Sequence, residues 1–151
     1  MMLSQQLLAR RTRPAVIKDL VEVVQQEVAS KKGVAGTAVK AGYGAASRVV
    51  PDLTERALNK LLPDLSVALD PFWASYESSG ATAFGQHLAG RGREVSAALL
   101  AVTDAKVAGS GREPVKKVYR ALRGKADGHV QAALPRVGAA LERHARRPAR
   151  G

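Results

Sequence analysis

The sequence predicts an all-α fold, a helical bundle built from two pseudo-symmetric tandem repeats. Three observations predict it: apolar residues recur at helical spacing, proline and glycine mark boundaries between segments of helical length, and the second half of the chain resembles the first. The 151 residues are 46% hydrophobic and 25% charged, a composition that is typical of a folded protein and not of a disordered one. We therefore expect a single helical domain.

Four collinear blocks of identity relate a first repeat, at about 3–77, to a second repeat, at about 83–147. They include the pairs Gln6 and Gln86, Leu20 and Leu99, Tyr43 and Tyr119, and Pro63 and Pro135, at offsets of 80, 79, 76 and 72. The last block also pairs Leu69 with Leu141 and places Asp70 opposite Glu142. The offset only shrinks, as short deletions in the second repeat would make it. Residues 78–82 are the predicted linker.

In the first repeat, Pro14 suits the first position of a helix whose apolar residues recur at helical spacing until Lys31-Lys32-Gly33. A second helix, rich in small residues, is expected over about 34–49. Asp52 and Glu55 have the spacing of a capping box and open a third helix. Pro63 and then Asp70-Pro71 are expected to interrupt the chain, with Asp70 as an N-cap.

The second repeat follows the same plan in shorter form. Its first long helix starts near Val95 and ends at Gly109-Ser110-Gly111, and Glu113-Pro114 opens the next one. A final helix is expected over about 126–146, interrupted or kinked at Pro135.

Several kinds of chemistry have no support in the sequence. The absence of cysteine excludes disulfides, thiol chemistry and cysteine-rich zinc sites. His87, His129 and His144 are scattered without metal-ligand spacing, and no phosphate-binding loop or nucleophile motif is present. We expect no enzyme, no cofactor and no metal. No apolar run approaches the length of a membrane span and the start lacks a signal-peptide core, so a cytoplasmic location is expected.

The charge is unevenly distributed along the chain. Lys and Arg number 24 against 13 Asp and Glu, a formal net charge of +11. Residues 1–90 hold ten basic and eight acidic residues, whereas residues 91–151 hold fourteen and five. The excess of positive charge therefore lies in the second repeat.

The basic residues of the second repeat fall into two groups. Lys116, Arg120 and Arg123 recur at i, i+4 and i+7 on the polar side of a helix whose other side is apolar and includes Tyr119. The predicted anion-binding residues are Lys116, Lys117, Arg120, Arg123 and Lys125 on this helix, and Arg143, Arg146, Arg147 and Arg150 in a basic tail over 143–151. A row of cations can bind phosphates with release of counterions; the alternative is an ordinary solvated helix face.

These features predict a non-catalytic binding module for a polyanion, most plausibly rRNA or DNA without strong sequence readout. Aromatic residues make up only 4% of the chain, which disfavours recognition by base stacking. The alternative is an adaptor that binds an acidic protein surface or an anionic membrane. A third interpretation is a carrier with an apolar pocket at Phe72, Trp73 and Tyr76, although core packing is the simpler role for these three. Self-association is left open.

The chain also resembles an uncharacterised family of small all-helical proteins from actinobacteria. The resemblance covers nearly all of the chain except the tail. It is carried by Arg13-Pro14-Ala15-Val16, Asp19-Leu20-Val21, Ala38-Val39-Lys40-Ala41-Gly42-Tyr43, Leu61-Leu62-Pro63-Asp64, Pro71-Phe72-Trp73, the segment 119–124 and His129-Val130. The resemblance implies a bacterial cytoplasmic helical protein and no assigned site.

Overall fold

The computed structural model describes residues 2–30, 52–109 and 113–145, together with residues 36, 37, 40, 41, 44, 48 and 111. Within the three long ranges the chain forms helices and no strand, which confirms the all-α prediction. The helices are α1 (Leu3–Leu7), α2 (Arg13–Ser30), α3 (Leu53–Ser79), α4 (Phe84–Gly90), α5 (Gly92–Ala108) and α6 (Glu113–Ala145). The helix predicted over 34–49 lies mostly outside the described residues, although its six described positions are helical.

Helix α2 forms where the periodicity predicts it, beginning one residue before Pro14. Its buried residues Val16, Ile17, Leu20 and Val23 recur at helical spacing on one face. The predicted end at Lys31-Lys32-Gly33 lies outside the described residues, and the helix is bounded at Ser30.

Helix α3 continues through both of its prolines, so the predicted interruptions at Pro63 and Asp70-Pro71 are wrong. A proline inside a helix removes one hydrogen bond, but the buried Leu62 and Leu69 hold the turns on either side of Pro63 in the core. The predicted capping box is also wrong. Asp52 occupies the N-cap position with φ 59° and makes no capping hydrogen bond through its side chain.

In the second half, α5 and both ends of α6 agree with the predictions, but the predicted separation of α6 into two helices does not. Helix α5 ends at Ala108 with Gly109 as its C-cap, and α6 begins at Glu113. The two helices expected after Glu113 are one helix of 33 residues that contains Pro135. The buried Leu134 and Leu141 anchor it on the core.

The two long helices, α3 and α6, organise the packing. Helices α1 and α2 pack on α3 and also on α6, while α4 and α5 pack on α6 and also on α3. The core forms between these helices from Leu3, Leu7, Val16, Ile17, Leu20, Leu62, Leu69, Phe72, Trp73, Tyr76, Phe84, Leu88, Val95, Leu134, Leu141 and Ala145. Among the described residues, no helix is long and apolar enough to cross a membrane.

The backbones of α4 and α6 approach each other closely at two glycines. A methyl group on Gly85 would clash with the Pro135 carbonyl, and one on Gly138 would clash with the backbone of Gly85. Glycine at both positions therefore allows α4 to lie directly against the second half of α6. The predicted anion-binding cations 116–125 lie on the first half of α6, away from this contact.

Candidate nucleic-acid interface

The first half of α6 carries five of the predicted anion-binding residues, which we call the basic face: Lys116, Lys117, Arg120, Arg123 and Lys125. This part of α6 packs on α5. The Ser96 hydroxyl donates to Asp127 at 2.6 Å, and Gln131 donates to the same carboxylate at 2.8 Å. The face therefore lies on a continuous helix that is fixed by contacts just beyond it.

Three cations of the basic face point into solvent. Lys117 and Lys125 are exposed, and 72% of the Arg120 side chain is accessible. Lys116 is less accessible, at 28%. The Glu113 carboxylate lies 3.8 Å from the Lys116 ammonium and 3.9 Å from the Arg120 guanidinium. These are long, exposed ion pairs, which are weak in water, so the three exposed cations remain accessible to an anion.

Arg123 is held differently, by an acidic side chain of α5. Its Nε and Nη2 atoms donate to the two oxygens of Asp104 at 2.9 and 3.1 Å, a bidentate arrangement. The Tyr119 hydroxyl donates to Asp104 at 2.5 Å and lies 2.7 Å from the Thr103 hydroxyl. Tyr119 is thus not a purely apolar residue of its helix, because its hydroxyl belongs to this polar cluster.

The cluster shifts the titration of its members. The hydrogen bonds from Arg123 and then Tyr119 lower the pKa of Asp104, and the bond to Asp104 raises the pKa of Arg123. Burial, followed by the neighbouring Asp104 carboxylate, raises the pKa of Tyr119. At neutral pH the cluster therefore holds an ionised Asp104 against Arg123, and the positive charge of Arg123 is partly neutralised within the protein.

The remaining predicted cations lie at the other end of α6. Arg143 is in the last turn of the helix, where its Nη2 lies 3.5 Å from the Asp19 carboxylate of α2. His144 lies 2.6 Å from the same carboxylate. Arg146, Arg147 and Arg150, with the rest of the predicted tail, lie outside the described residues.

One depression of the surface is lined in part by the basic face. Glu113, Pro114, Lys117 and Arg120 line it, and it is open to solvent. An open depression does not surround a small molecule on several sides, as small-molecule sites usually do. It therefore suits contact with a larger surface.

The aromatic residues of α3 lie in the core. Phe72, Trp73 and Tyr76 are buried, and the Trp73 ring meets the Phe84 ring of α4 edge-on at 4.9 Å. The Arg91 guanidinium covers the Phe72 ring at 4.8 Å. Neighbouring rings thus occupy the space around these residues, and an apolar-ligand pocket at this place stays a prediction.

Two residues with defined roles were not singled out by the sequence analysis as partners. Asp104 holds Arg123, and Glu142 accepts hydrogen bonds from the Tyr76 hydroxyl at 2.5 Å and the Phe84 N–H at 3.2 Å. The alignment of the two repeats, which places Asp70 opposite Glu142, was the one feature of the sequence that indicated a role for Glu142. In the part of the chain that is described, no group of three His, Asp or Glu residues has the geometry of a metal site.

Comparison with known proteins identifies one family. A family of unknown function (DUF6918) matches residues 3–145, which confirms the resemblance to an uncharacterised family. No curated protein and no solved structure matches the chain.

Proposed function

We propose a function from the residues alone, because the chain belongs to DUF6918, a family of unknown function. The protein is a non-catalytic helical module that binds the phosphate backbone of rRNA or DNA through the basic face of α6, without strong readout of base sequence. Such a partner requires a cytoplasmic location. The observation that carries the proposal is the exposure of Lys117, Arg120 and Lys125 on a single fixed helix.

The spacing of these cations supports a nucleic-acid backbone as the partner. From Lys117 to Lys125 the helix rises about 12 Å at 1.5 Å per residue. Phosphates of one strand of a duplex follow one another at about 3.4 Å along the helix axis. At 3.6 residues per turn, Lys117 lies between Arg120 and Lys125 around the helix, about 60° from the first and about 80° from the second. The three cations therefore form a broad arc that can contact several phosphates of a backbone, which a compact anion with a single charge cannot offer.

The placement of the aromatic residues supports backbone contact over base stacking. Among the described residues, Phe72, Trp73, Tyr76 and Phe84 are buried, and the Tyr119 hydroxyl is bonded to Asp104 and Thr103. Tyr119 is thus the described aromatic residue beside the basic face, half-buried and held by its hydroxyl. Single-strand binding uses exposed rings as stacking platforms, so we favour a duplex or a folded RNA.

The test is the affinity of the full chain for a fluorescent RNA or DNA duplex of about 20 base pairs, measured by anisotropy at several salt concentrations. The triple variant Lys117→Glu, Arg120→Glu, Lys125→Glu should lower the affinity at least about tenfold. Because each lost phosphate contact flattens the salt dependence by about one, the slope of log affinity against log salt should fall by about three.

A matched variant controls for total charge. Lys18, Arg56 and Lys60 are exposed residues of the first half, and their replacement by glutamate changes the net charge by the same amount. This variant should stay within about threefold of the wild type. An equal loss of affinity in both variants would show that only the total charge attracts the duplex and would contradict a binding role of the basic face. Absence of binding by the wild type at low salt would reject the proposal. Binding to anionic vesicles or to an acidic protein that RNA cannot displace would favour the adaptor alternative instead.

We also propose that the fold consists of two tandem repeats related by a pseudo-twofold axis. The offset of 72 places Leu62, Ser66 and Leu69 of α3 opposite Leu134, Gly138 and Leu141 of α6, and all six are buried. Val16 and Val95, at the offset of 79, are both fully buried. The order of a short helix and then a long one recurs in α1 to α2 and in α4 to α5. Helix α6 then corresponds to the described helical positions between 36 and 48 together with α3. These correspondences support the duplication.

A further inference from the structure

The inference concerns how the two halves of the chain, residues 1–79 and 84–145, hold each other, and it rests on the proposed repeat architecture. Helix α2 of the first half packs on α6 of the second, and α5 of the second half packs on α3 of the first. Each half therefore provides one helix that packs on the longest helix of the other half. Among the described helices, α2 and α5 each contact both the longest helix of their own half and that of the other half.

Ion pairs between the halves repeat at the same offsets as the sequence blocks. Glu27 of α2 pairs with Arg136 of α6. Adding 79 to the first number and subtracting 72 from the second gives Lys106 of α5 and Asp64 of α3, which pair at 3.0 Å. The two pairs thus occupy corresponding places with the charges exchanged. Such a correspondence is expected when two copies of one unit meet by exchange of equivalent surfaces.

The buried aromatic cluster is also shared. Trp73 and Tyr76 come from α3, and Phe84, which packs against both rings, comes from α4. The Tyr76 hydroxyl donates to Glu142 of α6. Separation of the halves would expose these rings, and single hydrophobic cores below about 70–80 residues rarely supply enough stability alone.

We infer that each half is the binding partner of the other, so that the chain is a tethered dimer of two units that do not fold separately. The tether is the segment 80–83, in which Gly80, Ala81 and Thr82 are exposed. The contacts between the halves hold the assembly without the tether, and a free second half should associate with a first half from another copy.

The test cuts the tether of the folded full chain at a protease recognition sequence inserted between Ala81 and Thr82. The halves should co-elute at the size of the uncut protein and keep its helical circular dichroism. The melting temperature should fall with dilution after cutting and be independent of concentration before it, because only the cut protein unfolds by dissociation. Separation of the halves, whether or not either stays helical, would overturn the inference. No nucleic acid enters the measurement, so failure of the proposed function leaves it unaffected.

A charge variant tests the surface itself. In the cut protein, Lys106→Glu places two carboxylates together and should weaken association about threefold, and the added Asp64→Lys should restore it. Lys116→Glu is the matched control, because Lys116 contacts Glu113 of its own half; its effect should be below about 1.5-fold. Equal weakening by Lys106→Glu and Lys116→Glu, or no rescue, would overturn the assignment of this surface.

Discussion

In each half a carboxylate of the longest helix, which we call the anchor, binds the start of the short helix. The two carboxylates differ in whether they also bind a residue of the other half. In the first half, Asp70 accepts the Ser4 N–H at 2.7 Å and the Ser4 hydroxyl at 2.6 Å. In the second half, Glu142 accepts the Phe84 N–H and, from the other half, the Tyr76 hydroxyl. The first anchor is local, whereas the second also joins the halves. Equivalent residues of the two halves can therefore contribute unequally to the free energy of unfolding.

The contact beneath each anchor differs as well. In the second half, Gly85 and Gly138 bring the backbones of α4 and α6 together. At the offset of 80, Gly85 corresponds to Gln5, and the offset of 72 relates Gly138 to Ser66. The first half has side chains at both positions, so this contact between two glycines is a property of the second half.

The largest effect is expected from Gly138→Ala. The new methyl group would clash with the backbone of Gly85, which cannot rotate away as a flexible side chain can. Overpacking of a core typically costs 1–3 kcal/mol, and we expect about 3 kcal/mol lower free energy of unfolding in urea denaturation.

Ser66→Ala is the matched change in the first half. The Ser66 hydroxyl is buried and has no hydrogen-bond partner among the described residues, so its removal relieves the cost of burying it unpaired and should raise the free energy of unfolding by about 1 kcal/mol. Similar costs at the two positions would contradict the difference in packing between the halves.

The anchors themselves should give the next largest effect. Glu142→Gln weakens two hydrogen bonds that end on a charged group, and we expect a loss of about 2 kcal/mol in the free energy of unfolding. Asp70→Asn should cost about 1 kcal/mol, because it frees mainly α1. Hydrogen exchange distinguishes them: Asp70→Asn should increase exchange in α1 alone, and Glu142→Gln throughout the aromatic cluster. Uniformly increased exchange in both variants would argue against a local first anchor.

The sequence predicted those parts of the fold that local signals determine. The helical class, the start of α2 near Pro14, the end of α5 at Gly109 and the start of α6 at Glu113 each have a nearby proline, glycine or apolar pattern. The interruptions at Pro63 and Asp70-Pro71 were wrong, because packing on both sides of a proline offsets the lost hydrogen bond. Helix α6 also continues through Pro135, and a kink at that residue stays a prediction.

For the candidate site, the sequence indicated which helix carries the cations but not which cations are exposed. Arg123 bonds to Asp104, 19 residues earlier on a different helix. No spacing rule within one helix relates the two residues, so only tertiary packing decides this pairing. The same limit applies to Arg143, which meets Asp19 from the opposite half.

Acid pH should act on one contact between the halves, Asp19 with Arg143 and His144, whose symmetric counterpart is missing. Burial alone would raise the pKa of Asp19, but hydrogen bonds and charges of His144 and Arg143 lower it below its usual value. The offset of 79 places Ala98 at the corresponding position. A lowered pKa gives stability above the unfolded value of about 3.9, and this stability is lost as the pH falls through the folded value.

Asp19→Asn should therefore lower the free energy of unfolding by about 1 kcal/mol at pH 7. The difference from the wild type should shrink as the pH falls below about 4, measured by urea denaturation across pH. A difference that stays constant down to pH 2 would contradict the contribution of the ionised Asp19 to the contact between α2 and α6.

The exposed charge also separates the halves. At the offset of 76, Lys40 corresponds to Lys116, but Ala41 and Gly44 correspond to Lys117 and Arg120. Lys40 and Ala41 are exposed, so the first half presents fewer cations at a comparable helix surface. The Asp104 carboxylate of α5 reduces this difference in accessible positive charge, because it binds the Arg123 guanidinium through two hydrogen bonds, as a phosphate would.

Releasing Arg123 from Asp104 should slightly increase the difference in accessible positive charge between the halves. In Asp104→Asn the neutral amide no longer pairs with the guanidinium, so Arg123 becomes available to a phosphate. We expect about threefold higher affinity for the RNA duplex and a salt slope steeper by about one, measured by the same anisotropy titration. The double variant Asp104→Asn, Arg123→Gln controls for the change at Asp104 and should lose the gain. If the single variant binds no better than the wild type while its melting temperature is unchanged, Arg123 lies outside the surface that meets the nucleic acid.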